Sequence, residues 1–350
     1  MRIRALDSIR GLLLLQMTLD HFGEPISRFL YQSFGFFTAA EGFFFLSGFV
    51  GILAVKSKLA KGQDSSWMRK RAVRIWKYHI ATVLFVTFLA IVLFPSLRSY
   101  VEGLIEHPLS GGLLVASLIY TPSWLDVLPL YVFLLLIGSF ILPFISRGRL
   151  LPVWGISFGL WLVSQLGLRE WGLSFLPSWS YPGFFDLFSW QFVYFSGATI
   201  SALWKDHLQA KASQGNWYPI LSMGCVLFCL FCGLWSHGLL PIAQPSEFWV
   251  SREHLGFIRI LDFFAFVVVI SWIVRHKAAL LDFSFTATLG RHSLEIYACH
   301  TLMIYFWLAT PTSVRYTSPW NIVVPIAACI FLWGIAKSIE NHSKTPKQIK

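Results

Sequence analysis

The sequence predicts an all-α fold, a polytopic bundle of about ten transmembrane helices with both chain ends in the cytoplasm. Charged residues are only 13% of the 350 residues, whereas soluble domains are about a quarter charged. Apolar and aromatic residues (AVILMFWYC) make up 56%. They occur in blocks that approach the roughly 20 residues needed to cross a hydrocarbon core. A soluble chain would instead show alternating or amphipathic patterns.

Ten apolar segments account for most of the chain. They are predicted as helices at residues 6–24, 33–55, 76–95, 126–145, 150–168, 186–204, 217–235, 257–275, 290–309 and 320–338. Residues 96–125 are expected to include a short helix or re-entrant piece near 111–120. No linker or repeat divides the sequence. Residues 1–340 are therefore expected to form one membrane domain, followed by a short basic cytoplasmic tail at 341–350.

The Lys and Arg residues determine the predicted orientation. With the amino terminus in the cytoplasm, twenty of the 28 basic residues fall on the cytoplasmic side, and Arg10 and Arg291 lie in or beside helices. The remaining six, on the outer side, are Arg28, Arg98, Arg169, Arg252, Arg259 and Arg315. This asymmetry follows the positive-inside rule. It accounts for most of the net charge of +11, so no nucleic-acid partner is expected.

Several classes of chemistry lack their sequence signatures. The chain contains no phosphate-binding P-loop, no G-x-S-x-G nucleophile motif and no H-E-x-x-H zinc helix. Its five cysteines lie in apolar segments, and the spacing of Cys225, Cys229 and Cys232 on one segment fits helix packing. We therefore expect neither a bound metal nor a permanently bound cofactor.

The first predicted helix carries four polar residues, Asp7, Arg10, Asp20 and His21. Eleven residues make three helical turns plus about 20°, so Arg10 and His21 share a face, roughly 16 Å apart. Asp7 lies within about 60° of both. A charge inside the bilayer costs roughly 2.5–3.5 kcal/mol, so this face is a candidate functional site. The structural alternative is an Asp7–Arg10 ion pair with an interfacial His21.

Further polar residues lie within or beside other predicted spans. Glu41 occupies an otherwise apolar helix, where a carboxylate must be paired or protonated. Glu295 and His300 share the ninth helix, and Asp126 begins the fourth. A satisfied polar network inside the bundle is the structural alternative for the ninth helix. Asp126 can equally serve to balance a nearby arginine.

The densest basic cluster precedes the third helix. Arg71 and Arg74 are three residues apart and share a helix face. Guanidinium groups bind phosphates in a bidentate manner, so these two residues are candidates to bind a cytoplasmic phosphorylated ligand. Positive-inside anchoring or contact with anionic lipid explains the same residues equally well.

Four stretches of the sequence resemble the OpgC-type membrane acyltransferases, which are related in plan to the acyltransferase-3 family. These stretches are RALDSIRG at 4–11, AAEGFFFLSG at 39–48, LDVLPLY at 125–131 and LGRHSL at 289–294. The spacing of Arg10 and His21 and the pair Arg71 and Arg74 fit the same family, and the resemblance spans most of the chain.

The resemblance implies an O-acyltransferase of the bacterial inner membrane. It would move an acyl group, succinyl as the first choice, from cytoplasmic acyl-CoA to hydroxyls of an extracytoplasmic glycan such as osmoregulated periplasmic glucan. His21, near the outer side, is the candidate general base, with Arg10 along the path between the compartments. Glu41 or Asp20 would orient the imidazole. Arg71 and Arg74 would bind the CoA.

A transporter or flippase for an anionic or glycan-linked substrate is the competing function. Charged and histidine side chains inside a membrane also mark proton relays and substrate paths. Against this function, the sequence contains no convincing inverted repeat and no pair of interrupted apolar segments. Both functions predict the lipid bilayer as a partner.

Overall fold

The computed structural model describes residues 4–204 and 217–344, and all regular secondary structure in this part of the chain is helical. Helices account for 77% of the residues, and the described residues contain no β-strand. A lipid bilayer offers no hydrogen-bond partners, so a spanning backbone must satisfy its own polar groups, which a helix does within one segment. The predicted all-α class is therefore confirmed.

Ten longer helices and the eight-residue helix Ser284–Arg291 carry the fold of the described residues. They are α1 Arg4–His21, α2 Ala39–Leu59, α3 Ser66–Phe88, α4 Val127–Ser146, α5 Leu150–Ser164, α6 Leu187–Leu203, α7 Trp217–Ser236, α8 Phe257–His276, α9 Ser284–Arg291, α10 Ser293–Ala309 and α11 Trp320–Lys344. Shorter helical pieces connect them, at Ile26–Leu30, Leu89–Leu93, Pro95–Tyr100, Glu102–Glu106, Pro108–Ala116, Leu168–Leu173, Glu247–Val250, Ala278–Leu281 and Thr312–Arg315.

Six of the described helices are long and apolar enough to cross a membrane. They are Ala39–Leu59, Ser66–Leu93, Val127–Ser146, Trp217–Ser236, Phe257–His276 and Trp320–His342. This agrees with the predicted membrane protein. The count of about ten crossings and the cytoplasmic location of both ends stay predictions. Of the predicted tail at 341–350, residues 345–350 lie outside the described residues.

The segment predicted as one helix at 290–309 is two helices. The chain is helical from Ser284 to Arg291, and a new helix starts at Ser293, with His292 between them at φ −111° and ψ 31°. Arg291 donates to both carboxylate oxygens of Glu340 in α11, at 3.1 and 3.0 Å, and to Thr288 Oγ1 at 2.9 Å. The end of α9 is thereby held against α11.

The described chain divides into two compact units. The first comprises Met1–Phe43, Pro219–Gln244 and Asp262–Lys350, and the second comprises Phe44–Tyr218 and Pro245–Leu261. The first unit is built around a close crossing of α1 and α9. A Cβ atom at Gly11 would collide with the carbonyl of Thr286, and one at Gly290 with the carbonyl of Asp7. Only residues without a side chain permit such an approach.

A second crossing of the same kind lies in the second unit, between α2 and α6. A Cβ atom at Gly48 would collide with the carbonyl of Tyr194, and one at Gly197 with the carbonyl of Phe45. Helices α5 and α6 are joined by a hydrogen bond from Ser157 Oγ to Gln191 Oε1, at 2.6 Å. Helix α3 packs against α4 in the same unit.

Candidate functional site

Two histidines meet in the first unit. His21 is the last residue of α1, and His300 lies in the middle of α10. The Nδ1 atom of His21 lies 3.2 Å from Nε2 of His300, and the ring centroids are 5.2 Å apart at an interplanar angle of 22°. His300 is only 1% exposed, whereas His21 is half-buried. The buried His300 ring therefore supports the His21 ring, which reaches the edge of the packed core.

The other polar residues predicted on the first helix lie along α1. Asp7 is buried, and Arg10 is half-buried one turn later. Asp20 is half-buried beside His21, and its backbone carbonyl accepts from Gly23 N at 3.3 Å. The structure thus brings His21 together with His300, which the sequence had placed separately in two helices.

Glu41 forms a capping box at the start of α2. Its Oε2 accepts from the backbone N–H of Thr38 at 3.0 Å and from the Thr38 hydroxyl at 2.8 Å. A Glu at the third helical position that bonds back to the residue before the helix satisfies a donor that the helix leaves unpaired. Glu41 is fully buried, so this local contact supplies a partner that a buried carboxylate requires.

Glu295 lies in the first turn of α10, where it is half-buried. It is five residues before His300, so the two side chains leave the helix on different faces. Tyr297 lies nearer to the histidine, with ring centroids 5.4 Å apart. Within α10, Tyr297 rather than Glu295 packs on the His300 ring.

The basic cluster begins α3 in the second unit. The Arg71 guanidinium lies 5.8 Å above the ring of Tyr131 in α4, and Arg71 is half-buried, whereas Arg74 is exposed. The chain enters α3 through Asp64, whose carboxylate accepts from the Ser66 hydroxyl at 2.5 Å and from Ser66 N at 3.0 Å. These two hydrogen bonds, chiefly the one from the hydroxyl, hold the pKa of Asp64 below its usual value.

Asp126 precedes α4 and holds a loop of the second unit. Its Oδ2 accepts from Phe184 N at 2.9 Å. The neighbouring Gly183 has φ +87°, and a Cβ there would lie 2.8 Å from the Asp126 Cβ, so a side chain would be strained at this position. The Arg252 guanidinium lies 5.2 Å above the Phe184 ring. The prediction that Asp126 can balance an arginine is compatible with these neighbours.

A second polar cluster of the second unit surrounds His254. Its Nδ1 lies 3.2 Å from Asp186 Oδ2, and its Nε2 lies 3.2 Å from Glu170 Oε1. Glu253 Oε2 is 4.0 Å from the same Nε2, and the other oxygen of Glu253 pairs with Arg169. Ser164 and Ser189 donate to Asp186, the serine oxygens being 2.7 Å apart.

The sequence alone does not reveal this cluster, because its members come from separate segments of the chain. The sequence pattern identifies Arg169 and Arg252 only as basic residues on the outer side, and Asp186 only as the first residue of a predicted span. A signal was present, since Arg169-Glu170 and Arg252-Glu253-His254 place acidic residues beside arginines in two predicted outer loops. Sequence alone does not show that the two loops meet.

An open cavity of about 460 Å³ lies in the first unit. Phe22, the residue after His21, forms part of its wall, and Trp307 Nε1 donates to the Phe22 carbonyl at 2.8 Å. The remaining wall is mostly aromatic and aliphatic, with residues of α10 and α11. This lining suits an apolar group and offers few partners for a sugar or a phosphate.

The comparisons with known proteins identify the family. The sequence matches the family described as OpgC protein over residues 2–344, essentially the whole chain. No curated protein and no solved structure matches the chain. The match agrees with the resemblance carried by residues 4–11, 39–48, 125–131 and 289–294. The chain therefore belongs to the OpgC protein family, and this membership indicates a membrane-bound acyltransferase that modifies glucan.

Proposed function

We propose that the protein transfers an acyl group, succinyl as the first choice, from cytoplasmic acyl-CoA to a hydroxyl of an extracytoplasmic glycan. Osmoregulated periplasmic glucan is the proposed acceptor, and the bacterial inner membrane is the proposed location. About ten crossings with both ends in the cytoplasm would give each substrate access from its own side. Family membership supports the acyl-transfer class, and the donor, acceptor and orientation are part of the proposal.

The contact between His21 and His300 is the observation that carries the proposal. One of the two facing nitrogens must donate and the other accept. If Nδ1 of His21 carries the proton and donates to Nε2 of His300, Nε2 is the basic nitrogen of the His21 ring. A neutral imidazole with one nitrogen held in this way is a suitable general base near neutral pH. His300 is then the positioning residue, a role the sequence analysis gave to Glu41 or Asp20.

The reaction needs two proton transfers, one to His21 and one from it. The hydroxyl oxygen of the glycan attacks the thioester carbonyl carbon while His21 Nε2 takes the hydroxyl proton. A carbon–oxygen bond forms and the carbon–sulfur bond breaks, which releases CoA thiolate. The thiolate takes up the proton from the imidazolium, so His21 returns to its neutral form. Arg10, on the same face of α1, would support the acyl group along its path.

Arg71 and Arg74 would bind the donor. CoA carries phosphate and pyrophosphate groups, and arginine side chains pair with such groups through parallel hydrogen bonds. The two residues begin α3 within the basic cluster, Arg74 is exposed, and Arg71 is held over Tyr131. An arginine stacked on an aromatic ring keeps its remaining donors in a fixed direction. This arrangement supports a role in holding a phosphorylated donor.

Two measurements test the function. Glycan from a deletion strain that carries wild-type protein or His21→Ala is analysed by mass spectrometry at equal protein abundance. We expect an acyl mass on the glycan with wild type and its absence with the variant. Purified wild-type protein should also hydrolyse acyl-CoA slowly, and His21→Ala should not. If wild-type protein alters the glycan in the strain but the purified protein hydrolyses no acyl-CoA, the transporter function is favoured.

A further inference from the structure

The imidazole of His254 lies between carboxylates on both sides. Its Nδ1 faces Asp186, whose side chain is completely buried, and its Nε2 faces Glu170 at the surface, each at 3.2 Å. The His254 side chain itself is 24% exposed. One nitrogen therefore points into the protein and the other points to the boundary with the surroundings.

The inner contact determines where the proton of a neutral His254 must be. Asp186 accepts from Ser164 Oγ, Ser189 Oγ and Phe188 N, so its oxygens act as acceptors. An unprotonated Nδ1 would be another acceptor, and the Asp186 oxygens would repel it. In a neutral ring Nδ1 must therefore carry the proton and donate it to Asp186. Nε2 of a neutral ring is then a bare lone pair that faces a carboxylate oxygen at 3.2 Å. Two acceptors at this separation need a proton or a metal ion between them.

Glu253 supplies a further ligand atom at the same place. Its Oε2 lies 4.0 Å from His254 Nε2, while Arg169 pairs with its other oxygen and also donates to the Gly183 carbonyl at 2.5 Å. One atom each of Glu170, Glu253 and His254 lie within 4.8 Å of one another. Atoms that share one metal ion at about 2.0–2.2 Å have such spacings after small side-chain adjustments.

The charges of the cluster favour a divalent cation over a monovalent one. Glu170, Glu253 and Asp186 carry three negative charges, and Arg169 offsets one of them. Two negative charges remain with a neutral His254. A proton on His254 would neutralise one of these charges, whereas a divalent cation would neutralise both.

We propose that Glu170, Glu253 and His254 bind one divalent cation, with Asp186 and Arg169 as the residues that hold the ligands in place. An imidazole nitrogen with two carboxylate oxygens favours Zn²⁺ over the oxygen-seeking Mg²⁺ and Ca²⁺. The buried carboxylate behind the imidazole is the arrangement that usually orients a metal-bound histidine. The ion would join the helix Leu168–Leu173 to the segment ahead of α8. This proposal replaces the expectation of no metal and does not depend on the acyl-transfer proposal.

The test measures zinc binding to full-length protein purified in detergent with a tag that contains no histidine. The protein is stripped with EDTA, dialysed, and titrated with ZnCl₂ by calorimetry, and bound zinc is counted by mass spectrometry. We expect one zinc per chain. Glu170→Gln and His254→Gln should each weaken binding at least about tenfold. His276→Gln, at an exposed histidine of the first unit, should bind as wild type does.

The Glu170 side chain is 54% exposed, so Glu170→Gln should fold even if His254→Gln does not. A rise of Tm with zinc in the wild type and in His276→Gln, but not in Glu170→Gln, would support the site independently. Equal affinity in Glu170→Gln and wild type would overturn the proposal. A wild type that binds no stoichiometric zinc would also overturn it.

Discussion

Nδ1 of His21 and Nε2 of His300 are 3.2 Å apart, so one of these two nitrogens must donate a hydrogen bond that the other accepts. His21 is the proposed base and His300 the residue that positions it, so substitutions of the two histidines should have different effects. His21→Ala should lower the rate of acyl transfer by about 10²–10⁴, because a general base is removed. His300→Gln should cost less, up to about 10², because the base remains but is poorly positioned.

The measurement is kcat and KM for acyl transfer in membranes, with acyl-CoA binding as the control for folding. His300→Gln should act on kcat and alter the pH profile while it leaves donor binding unchanged. If His21→Ala retains nearly wild-type acylation, His21 is not the base. His300 with Glu295 would then be the next candidates.

Arg71→Gln and Arg74→Gln should weaken acyl-CoA binding. A charge-assisted hydrogen bond contributes roughly 1.5–3 kcal/mol, so each variant should raise Kd about tenfold or more. Lys70→Gln, at an exposed residue directly before Arg71, is the matched control for lost positive charge. The check is equilibrium binding of a labelled acyl-CoA. Equal affinities in all three variants would leave the cluster with a topological role only.

Glu41 and Thr38 should affect stability through the capping box. Loss of the helix cap in Thr38→Ala or Glu41→Ala should lower the free energy of unfolding by about 1 kcal/mol each. Glu41→Gln keeps an oxygen acceptor and should stay near wild-type Tm in detergent. If Glu41→Gln is stable but inactive in acyl transfer, Glu41 has a chemical role beyond the cap.

Gly11→Ala and Gly290→Ala should both destabilise the protein. Each added Cβ meets the backbone of the opposing helix, and an overpacked contact costs about 1–3 kcal/mol. Gly334→Ala in α11 is the matched control, since nothing lies within 4 Å of its Cβ position. Its Tm should be unchanged or higher, because alanine favours helix. A Gly11→Ala protein as stable as Gly334→Ala would contradict the close crossing.

Reporter fusions should locate alternate loops on opposite sides of the membrane, because the basic residues are distributed so unevenly. Fusions at Lys61, Arg147, Lys211 and Lys350 should report the cytoplasm, and fusions near Glu102, Ser178, Glu247 and Thr317 should report the outside. Alkaline phosphatase and a fluorescent protein provide opposite readouts at each position. Two or more reversed positions would rule out the ten-helix arrangement.

Local patterns in the sequence predicted the helices well. Apolar runs located α2, α4 and α7 because a long uninterrupted run has few other stable structures. The break at His292 was missed because no proline or turn motif marks it, and the contacts of Arg291 with Glu340 are long-range. The Thr38–Glu41 capping box could have been read from its T-x-x-E pattern, which would have given Glu41 a structural role at once.

The candidate site was predicted only in part. The spacing of residues within one helix identified His21, but a contact with His300 requires knowledge of which helices pack together. The same applies to His254, since Glu170, Asp186 and Glu253 come from segments far apart in sequence. Side-chain clusters of this kind depend on tertiary structure, which single-sequence periodicity does not contain.

The two glycine crossings also have a consequence for evolution. At Gly11, Gly48, Gly197 and Gly290 the opposing backbone occupies the space of any side chain, so a single substitution would have to move a whole helix. Substitutions at these four positions should therefore be strongly disfavoured, whereas swaps of similar volume among the surrounding apolar residues should be tolerated. In distant relatives with little overall sequence similarity, these four glycines should be retained, and a reliable sequence alignment can be anchored on them.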